Sequence, residues 1–358
     1  MIVSRIAISN FRNILDSEFQ LAGGLNVFYG NNGAGKTSVL ESVHFLSHVR
    51  SFKTRNSRFL INHSSKYFRI VSDISENGLT QRIGMEKTTD KFLASINGDR
   101  INKPSAVADL LPAIAIHPEI FTLLTGDPSE KRAFLDWGSF YHDSKFKVFW
   151  RQFQQSLKQR NAALRGKAPK HLVQCWNRAL AENGEMISKM REEYLLRIAE
   201  RIPGLIADFD QDLRLDLRYA RGWPTDVTLE EQLEATFESD RQRGFTQSGP
   251  QRGGFKTYFN GRETTQIASR GQLKLITIIL KLSQAIEFVE SRSRRCVLLL
   301  DDLDAELDHG NFDTFLGIVK SLGLQSLLTT LENNIKFRES DGNTGVFHVE
   351  HGKIKQVL

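Results

Sequence analysis

The sequence has 358 residues, of which 40% are hydrophobic and 25% are charged. This balance allows a sizeable core and excludes disordered, collagen-like and low-complexity proteins. Its 48 Lys and Arg exceed its 42 Asp and Glu by six, a charge that is compatible with a nucleic-acid partner without requiring one.

The first third of the chain is rich in strand patterns. Short apolar or alternating runs bounded by turn residues predict strands. They cover residues 3–11, 25–29, 67–74, 81–85, 92–96 and 113–116. Asn97-Gly98 after the fifth run is the signal of a two-residue hairpin turn.

From about residue 127 to 201 the apolar period becomes helical. Helices are predicted over residues 146–166, 172–202 (ended by Pro203-Gly204) and 229–243, with a strand at 213–219. The alternation of strands and helices then returns. We expect a helix from Ser269, strands at 296–300 and 324–328, and a hairpin at 346–357 around Gly352.

The predicted architecture is an α/β head, built around a mixed sheet from both chain ends, with an inserted and mainly helical arm. Its expected parts are a head segment at 1–135, the arm at 136–247 and a second head segment at 248–358. No apolar run reaches the ~18–20 residues of a membrane helix, and no signal peptide is visible, so a cytoplasmic protein is expected. Two distant cysteines exclude a disulfide scaffold and a zinc site of paired cysteines.

A glycine-rich motif follows the strand predicted at 25–29 and opens a helix. It fits G-x-x-x-x-G-K-[ST], whose backbone N–H groups and helix N-terminus bind phosphates. Lys36 would reach the β- and γ-phosphates, and the Thr37 hydroxyl would bind Mg²⁺. The nucleotide contacts predicted here are Gly30, Asn31, Asn32, Gly33, Ala34, Gly35, Lys36, Thr37 and Ser38.

Two carboxylates end the buried strand predicted at 296–300. Asp301 is the expected magnesium ligand beside the phosphate loop, and Asp302 is the candidate acid that orients or deprotonates the attacking water. A strand ending in a turn explains the same pattern when it is taken alone.

Ser269-Arg270-Gly271-Gln272 opens the next predicted helix. Helix capping by Ser269 is an adequate structural explanation. The sharper hypothesis is a second anion site for a nucleotide held by another subunit, which predicts a head-to-tail dimer with nucleotide at the interface.

The order of these three motifs, with Ala305-Glu306-Leu307-Asp308 behind the acid pair, resembles the head ATPases of the ABC superfamily, above all their DNA-acting branch. Further segments resemble the RecF family of bacterial recombination mediators. They are Phe11-Arg12-Asn13, Pro118-Glu119, Gly126-Asp127-Pro128, the run 132–136, the run 157–164, Arg221-Gly222-Trp223 and Gly249-Pro250.

The resemblance implies an ATP- and Mg²⁺-dependent homodimer that binds gapped or junction DNA and hydrolyses ATP weakly to release it. It also implies work with RecR and RecO in loading RecA, and a part in the SOS response. Ser269 and Gly271 would then contact the nucleotide in trans, and Arg12 and Asn13 would lie near it. The chain departs from the family pattern at Lys131, Gln251, Gly253, Gly254 and Asn311, and it has no histidine switch in the run 329–333.

Two acid-free stretches are candidate DNA surfaces. Residues 144–181 hold nine Lys and Arg, and residues 42–72 hold six. The predicted DNA contacts are Arg50, Lys53, Arg55, Lys145, Arg151, Lys158, Arg160 and Arg165. A solvated helix face explains the first stretch equally well, and Phe146, Trp150 and Phe153 are expected in the core rather than stacked on bases.

Three other functions remain open on the sequence. The ATPase subunit of a membrane transporter explains the head motifs but not the RecF-like segments. A small-molecule kinase would use the phosphate loop but not the run 269–272 in trans. A nuclease lacks a second cluster of acids in the sequence.

Overall fold

The computed structural model describes residues 1–54, 56–101, 105–209, 213–292, 294–331 and 343–357. The chain forms two compact units, one of residues 1–119 and 293–358 and one of residues 120–292. The predicted boundaries after residues 135 and 247 both fall inside the second of these units. Helices on both sides of the predicted arm pack within the second unit, so the region around Ser269 belongs to it as well.

The strands, numbered along the described chain, have the following bounds. They are β1 (Ile2–Phe11), β2 (Ile14–Gln20), β3 (Leu25–Tyr29), β4 (Tyr67–Glu76), β5 (Leu79–Thr88), β6 (Phe92–Ile96), β7 (Asp99–Ile101), β8 (Ala113–Ile116), β9 (Leu215–Ala220), β10 (Gly254–Phe259), β11 (Arg262–Glu263), β12 (Val297–Leu300), β13 (Gln325–Thr330), β14 (Thr344–Glu350) and β15 (Lys353–Gln356).

The α-helices are numbered in the same way. They are α1 (Lys36–His48), α2 (Ser105–Leu110), α3 (Thr122–Thr125), α4 (Pro128–His142), α5 (Phe146–Arg165), α6 (Lys170–Gln174), α7 (Asn177–Phe209), α8 (Leu229–Ala235), α9 (Phe237–Arg243), α10 (Thr264–Ile267), α11 (Arg270–Arg292) and α12 (His309–Ser321).

The described residues of the first unit form two six-stranded sheets. One has the order β2-β1-β4-β5-β6-β7 and is antiparallel throughout. The other has the order β15-β14-β3-β13-β12-β8, with parallel pairing from β14 to β8. β12 reads Val-Leu-Leu-Leu and is wholly buried, as expected for a parallel strand covered on both faces.

The parallel sheet positions the candidate site. Strands β3 and β12 point the same way and are separated by β13 alone. The loop after β3 and the acids after β12 therefore emerge at the same edge, the carboxyl ends of the strands, where α/β proteins place their ligands.

The second unit is mainly helical, with the three-stranded sheet β11-β10-β9. α7 continues through Pro203, so the predicted helix end there is wrong. Proline removes one donor from the helix ladder, but Ile198, Ile202, Leu205 and Ile206 around it are buried, and this packing stabilises the helix. The helix predicted at 229–243 is interrupted at Thr236, which ends α8 and precedes α9.

Within the part of the chain that the structure describes, no helix is both long and apolar enough to cross a membrane. The longest, α7, carries charged side chains along its exposed side, among them Glu182, Lys189 and Glu193.

Candidate nucleotide-binding site

The loop between β3 and α1 takes the form of a phosphate-binding loop. Gly30, Gly33 and Gly35 have φ angles of 151°, 77° and 117°, in the region that favours glycine. A Cβ atom on Gly30 would lie 2.2 Å from the carbonyl oxygen of Val349. Asn31, Asn32 and Gly33 are exposed at the tip, whereas the three residues after them are buried. Backbone curvature and space for a ligand both require glycine here.

Lys36, the first residue of α1, is folded along this loop. Its Nζ donates hydrogen bonds to the carbonyl oxygens of Gly30 at 2.7 Å and Asn31 at 3.2 Å. The side chain is 5% exposed, so its charge is held at the helix N-terminus, which also favours anions. The arrangement suits a phosphate group placed against the loop.

The Thr37 hydroxyl donates a 2.7 Å hydrogen bond to Oδ1 of Asp301, although the two residues are 264 positions apart. A hydroxyl and a carboxylate are the ligands with which Mg²⁺ is held beside phosphate oxygens and water. Among the described residues no group of three or more His, Cys, Asp or Glu side chains is arranged to bind a metal alone. The pair therefore fits Mg²⁺ that arrives with a nucleotide.

Asp301 is 2% exposed, and burial raises the pKa of its carboxyl. The Thr37 hydrogen bond and the charge of Lys53 act in the opposite direction on that pKa. Lys53 Nζ lies 3.7 Å from Asp301 Oδ2. Lys53, which is also predicted to contact DNA, thus lies beside the expected magnesium ligand.

Asp302 follows in a left-handed backbone conformation, with φ of 49°. Its N–H donates a 2.8 Å hydrogen bond to Oγ1 of Thr329, at the end of the neighbouring strand β13. The same Oγ1 lies 3.0 Å from Asp301 Oδ1 and 3.1 Å from Asp302 Oδ1. Sequence reasoning missed Thr329, noting only that the run 329–333 has no histidine. Residues 332 and 333 of that run lie outside the described part of the chain.

Of the two residues expected near the nucleotide from the family resemblance, Asn13 contacts the phosphate loop. Its Nδ2 donates to the Gly33 carbonyl at 3.1 Å, and its Oδ1 accepts from the Ser38 hydroxyl at 3.0 Å. The Arg12 guanidinium instead binds both carboxylate oxygens of Glu41 at 2.7 and 2.8 Å. Arg12 is therefore bound to α1 through Glu41.

Ser269-Arg270-Gly271-Gln272 lies in the second unit at the start of α11. Ser269 Oγ accepts from the Gln272 N–H at 3.2 Å, and Gln272 Oε1 accepts from the Ser269 N–H at 2.8 Å, a reciprocal cap. Ser269, Arg270 and Gly271 are nevertheless exposed. Ser269 thus caps the helix, as the structural explanation predicts. The first residues of the helix are also exposed, so a ligand outside the chain can reach them.

The predicted DNA contacts fall into different surroundings. Lys145, Arg151, Lys158 and Arg165 are exposed on or beside α5, and Arg50 is exposed after α1, whereas Arg55 lies outside the described residues. The inclusion of Arg160 was wrong. Its side chain is 0% exposed and binds Asp240, Asn177 and Thr246 at 2.7–2.9 Å.

The same helix also corrects the prediction for one aromatic residue. Phe146 and Phe153 are buried, as expected, but Trp150 is 42% exposed. At 100° per residue Trp150 falls between the buried stripe of α5 and the side that carries Arg151. It therefore borders the basic surface.

Comparison with known proteins agrees with this geometry. A profile of the family described as RecF/RecN/SMC N terminal domain matches residues 2–355. The DNA replication and repair protein RecF of Thioalkalivibrio sulfidiphilus is 35% identical over 99% of both chains, and that of Vibrio atlanticus is 36% identical over 99% of this chain and all of its own. The chain belongs to the RecF family. The family predicted from the motifs is confirmed.

Solved structures confirm the fold class. The structure of the recombination mediator protein RecF–ATP in the RecFOR pathway has a TM-score of 0.89 and 24% identity, covering all of this chain and 98% of its own. An Smc head domain from Pyrococcus furiosus has a TM-score of 0.58 at 15% identity, covering 99% and 96%. The RecF fold thus extends over the whole chain, with the SMC head as a more distant likeness.

Proposed function

We propose that this RecF-family protein is an ATP-dependent DNA-binding protein of recombinational repair and replication restart. ATP with Mg²⁺ joins two copies, the dimer clamps DNA at gaps or junctions, and slow hydrolysis releases it. The observation that carries the proposal is the contact between Thr37 and Asp301, which brings the end of the phosphate loop and the acid after β12 together from distant parts of the chain. The relatives' name, DNA replication and repair protein RecF, supports the DNA side.

In this proposal each residue around the phosphate loop has a separate role in binding or hydrolysing the nucleotide. Backbone N–H groups of residues 30–38 would donate hydrogen bonds to phosphate oxygens, and the Lys36 ammonium group would lie beside the β- and γ-phosphates. Thr37 and Asp301 would hold Mg²⁺, which would supply positive charge beside the phosphates. Asp302 orients the attacking water and accepts its proton. The protein is then a weak ATPase whose hydrolysis acts as a switch.

Dimerisation uses the exposed start of α11. Ser269 and Gly271 would contact the γ-phosphate of the nucleotide held by a second copy, with the helix N-terminus directed at the anion. The Arg270 guanidinium carbon lies over the ring of Phe121, 5.2 Å from its centroid. Neither copy has a complete site alone, so ATP would drive association.

DNA is held by charge, without reading of sequence. Arg151, Lys158 and Arg165 are spaced by seven residues on α5, so they project within about 40° of one another along about 21 Å of helix. All three are exposed, and none has an ion-pair partner among the described residues. Such a line of cations suits a phosphate backbone. Arg50 belongs to the proposed second surface beside α1.

The protein would act in the cytoplasm with RecR and RecO to load RecA and to support the SOS response. Family membership supports these partners. The solved structure of a RecF–ATP protein is described as part of the RecFOR pathway. A transporter subunit, the main alternative, gains no support from relatives named for DNA replication and repair.

Binding to gapped, single-stranded and duplex DNA, with and without ATP and Mg²⁺, tests the proposal, with oligomeric state followed by light scattering. We expect ATP to produce dimers that hold DNA. Lys36→Met should abolish both effects, and Ser269→Arg should keep ATP binding but lose the dimers. A wild-type protein that binds ATP yet neither dimerises nor binds DNA would contradict the proposal and favour the transporter-type function.

A further inference from the structure

The Thr329 hydroxyl occupies a position between the two acids of the site. It is the last but one residue of β13, and its side chain is 0% exposed. One lone pair of its oxygen accepts the Asp302 N–H at 2.8 Å. Two carboxylate oxygens, one from Asp301 and one from Asp302, lie at 3.0 and 3.1 Å from the same oxygen.

A hydroxyl has one proton and can donate it to one acceptor at a time. The two carboxylate oxygens therefore compete for the Thr329 proton. Asp301 Oδ1 also accepts a 2.7 Å hydrogen bond from the Thr37 hydroxyl. Asp302 Oδ1 accepts from no donor other than Thr329 among the described residues. The Thr37 and Thr329 hydroxyls together use the two lone pairs of Asp301 Oδ1, so a cation bound to that oxygen would displace one of them.

We propose that Thr329 is a positioning residue that couples the magnesium ligand Asp301 to the hydrolytic acid Asp302. If Asp301 Oδ1 held the magnesium of a bound nucleotide, the Thr329 proton would be left to Asp302. The hydroxyl would then contact Asp302 at two points, its N–H and its carboxylate, and so hold the residue in its left-handed conformation. This inference rests on the proposed ATP function and deepens it.

The role differs from that of the neighbouring hydroxyls on the same strand. Thr330 donates to Asp304 at 2.5 Å and so is tied to the segment after the acid pair. Ser326 is 1% exposed, and its hydroxyl has no hydrogen-bond partner in the described residues. Ser326→Ala is therefore a matched control, since it removes a buried β13 hydroxyl that has no role in the site.

The test compares Thr329→Val, Thr329→Ser and Ser326→Ala. Affinity for a fluorescent ATP analogue is measured with Mg²⁺ and with EDTA, the lifetime of ATP-driven dimers by light scattering, and hydrolysis by phosphate release. We expect Thr329→Val to keep Mg²⁺-dependent affinity and KM, because Thr37 and Asp301 are intact. Its kcat should fall by about tenfold or more, since a hydrogen bond to a charged group is lost, and its dimers should persist longer.

Thr329→Ser, which keeps the hydroxyl, should restore kcat and dimer lifetime, and Ser326→Ala should match the wild type. An unchanged kcat in Thr329→Val, or equal losses of affinity and kcat, would overturn the inference. If Thr329→Val does not fold, Thr329→Ser decides, because loss of kcat despite a retained hydroxyl contradicts the role. Failure of the wild type to bind ATP would instead contradict the proposed function.

Discussion

Arg160 and Asp240 form an ion pair of 2.8 Å in the interior of the second unit, with both side chains 0% exposed. Arg160 also donates to Asn177, Thr246 and the Leu233 carbonyl, and Asp240 accepts from the Gln247 N–H. A buried charge left without its partner is costly. The pair therefore ties α5 to α9 and the segment that follows.

Arg160→Met should lower the free energy of unfolding by about 3–5 kcal/mol, because Asp240 would remain buried without its counter-charge. Urea unfolding followed by circular dichroism measures the loss. The same substitution at exposed Arg151, on the same helix, should change stability by about 0.5 kcal/mol or less. Equal effects of the two substitutions would contradict the assignment of Arg160 to the core.

Arg151→Met and Lys158→Met should weaken binding to all DNA sequences alike. Each should reduce the slope of log K against log salt by about one, since one phosphate contact is lost. Fluorescence anisotropy of labelled duplex DNA from 50 to 200 mM salt provides the measurement. Glu182→Gln, on an exposed site of α7, serves as a control for a surface change. An unchanged slope in both Met variants would exclude α5 from the DNA surface.

Trp150→Ala should lower affinity for single-stranded or gapped DNA by about 1–3 kcal/mol if the exposed ring stacks on an unpaired base. Blunt duplex DNA offers no unpaired base, so its affinity should stay close to that of the wild type. Leu196→Ala, which removes another exposed apolar side chain, is the control. A uniform loss for every DNA would indicate that Trp150 supports α5 rather than DNA.

Asp301→Asn should stabilise the nucleotide-free protein near pH 7. Burial raises the pKa of Asp301, so ionisation costs stability as pH rises above the unfolded pKa of about 4. The gain should disappear at pH below that value, where the wild-type carboxyl is protonated in both states. Thermal unfolding between about pH 3 and pH 8 measures this difference on both sides of the unfolded pKa, with exposed Asp313→Asn as the control.

The same variant should gain no stability from ATP with Mg²⁺, whereas the wild type should gain it through ligand binding. A variant less stable than the wild type at pH 7, without nucleotide, would show that the contacts of the Asp301 carboxylate outweigh its burial.

Gly352→Ala should weaken ATP binding indirectly, through the phosphate loop that Gly352 contacts. The Gly352 N–H donates to the Ala34 carbonyl at 2.8 Å, and a Cβ there would lie 2.1 Å from the Asn13 carbonyl oxygen. The clash should cost about 1–3 kcal/mol of stability and move the phosphate loop. Gly261→Ala is the control, since its φ is also positive, at 80°, but nothing lies within 4 Å of its Cβ. Equal ATP affinity in both variants, measured by calorimetry, would contradict this support.

The sequence allowed much of the fold to be predicted where one local signal dominates. β3, β6 and β8 have the predicted bounds, and the phosphate loop follows from the spacing of its glycines and Lys36. Pro203 shows the limit of local signals, because burial of the residues around it maintains α7. The split of the helix predicted at 229–243 was also missed. It lies at Thr236, whose φ of −90° and ψ of 4° end α8 and whose hydroxyl donates to the Gln232 carbonyl at 2.8 Å.

The candidate site shows the same division. Asp301 was predictable because an acid at the end of a buried strand lies at the ligand edge of a parallel sheet. Thr329 was not, because its role depends on which strand lies beside β12. Arg160 carried a usable signal, since it follows Phe153 by seven residues and precedes Leu164 by four, the spacing of the buried stripe. Its charge was taken as evidence of exposure instead.

The position of β3 has a consequence for biosynthesis. The strand that leads into the phosphate loop pairs with β13 and β14, which begin at residues 325 and 344. At 5–20 residues per second, synthesis leaves about 15–60 s between β3 and β13. The antiparallel sheet β2-β1-β4-β5-β6-β7 has all of its strands within the first 101 residues and can form early. A ribosome-bound chain therefore cannot pair β3 with both of its neighbours until the chain as far as β14 has been synthesised.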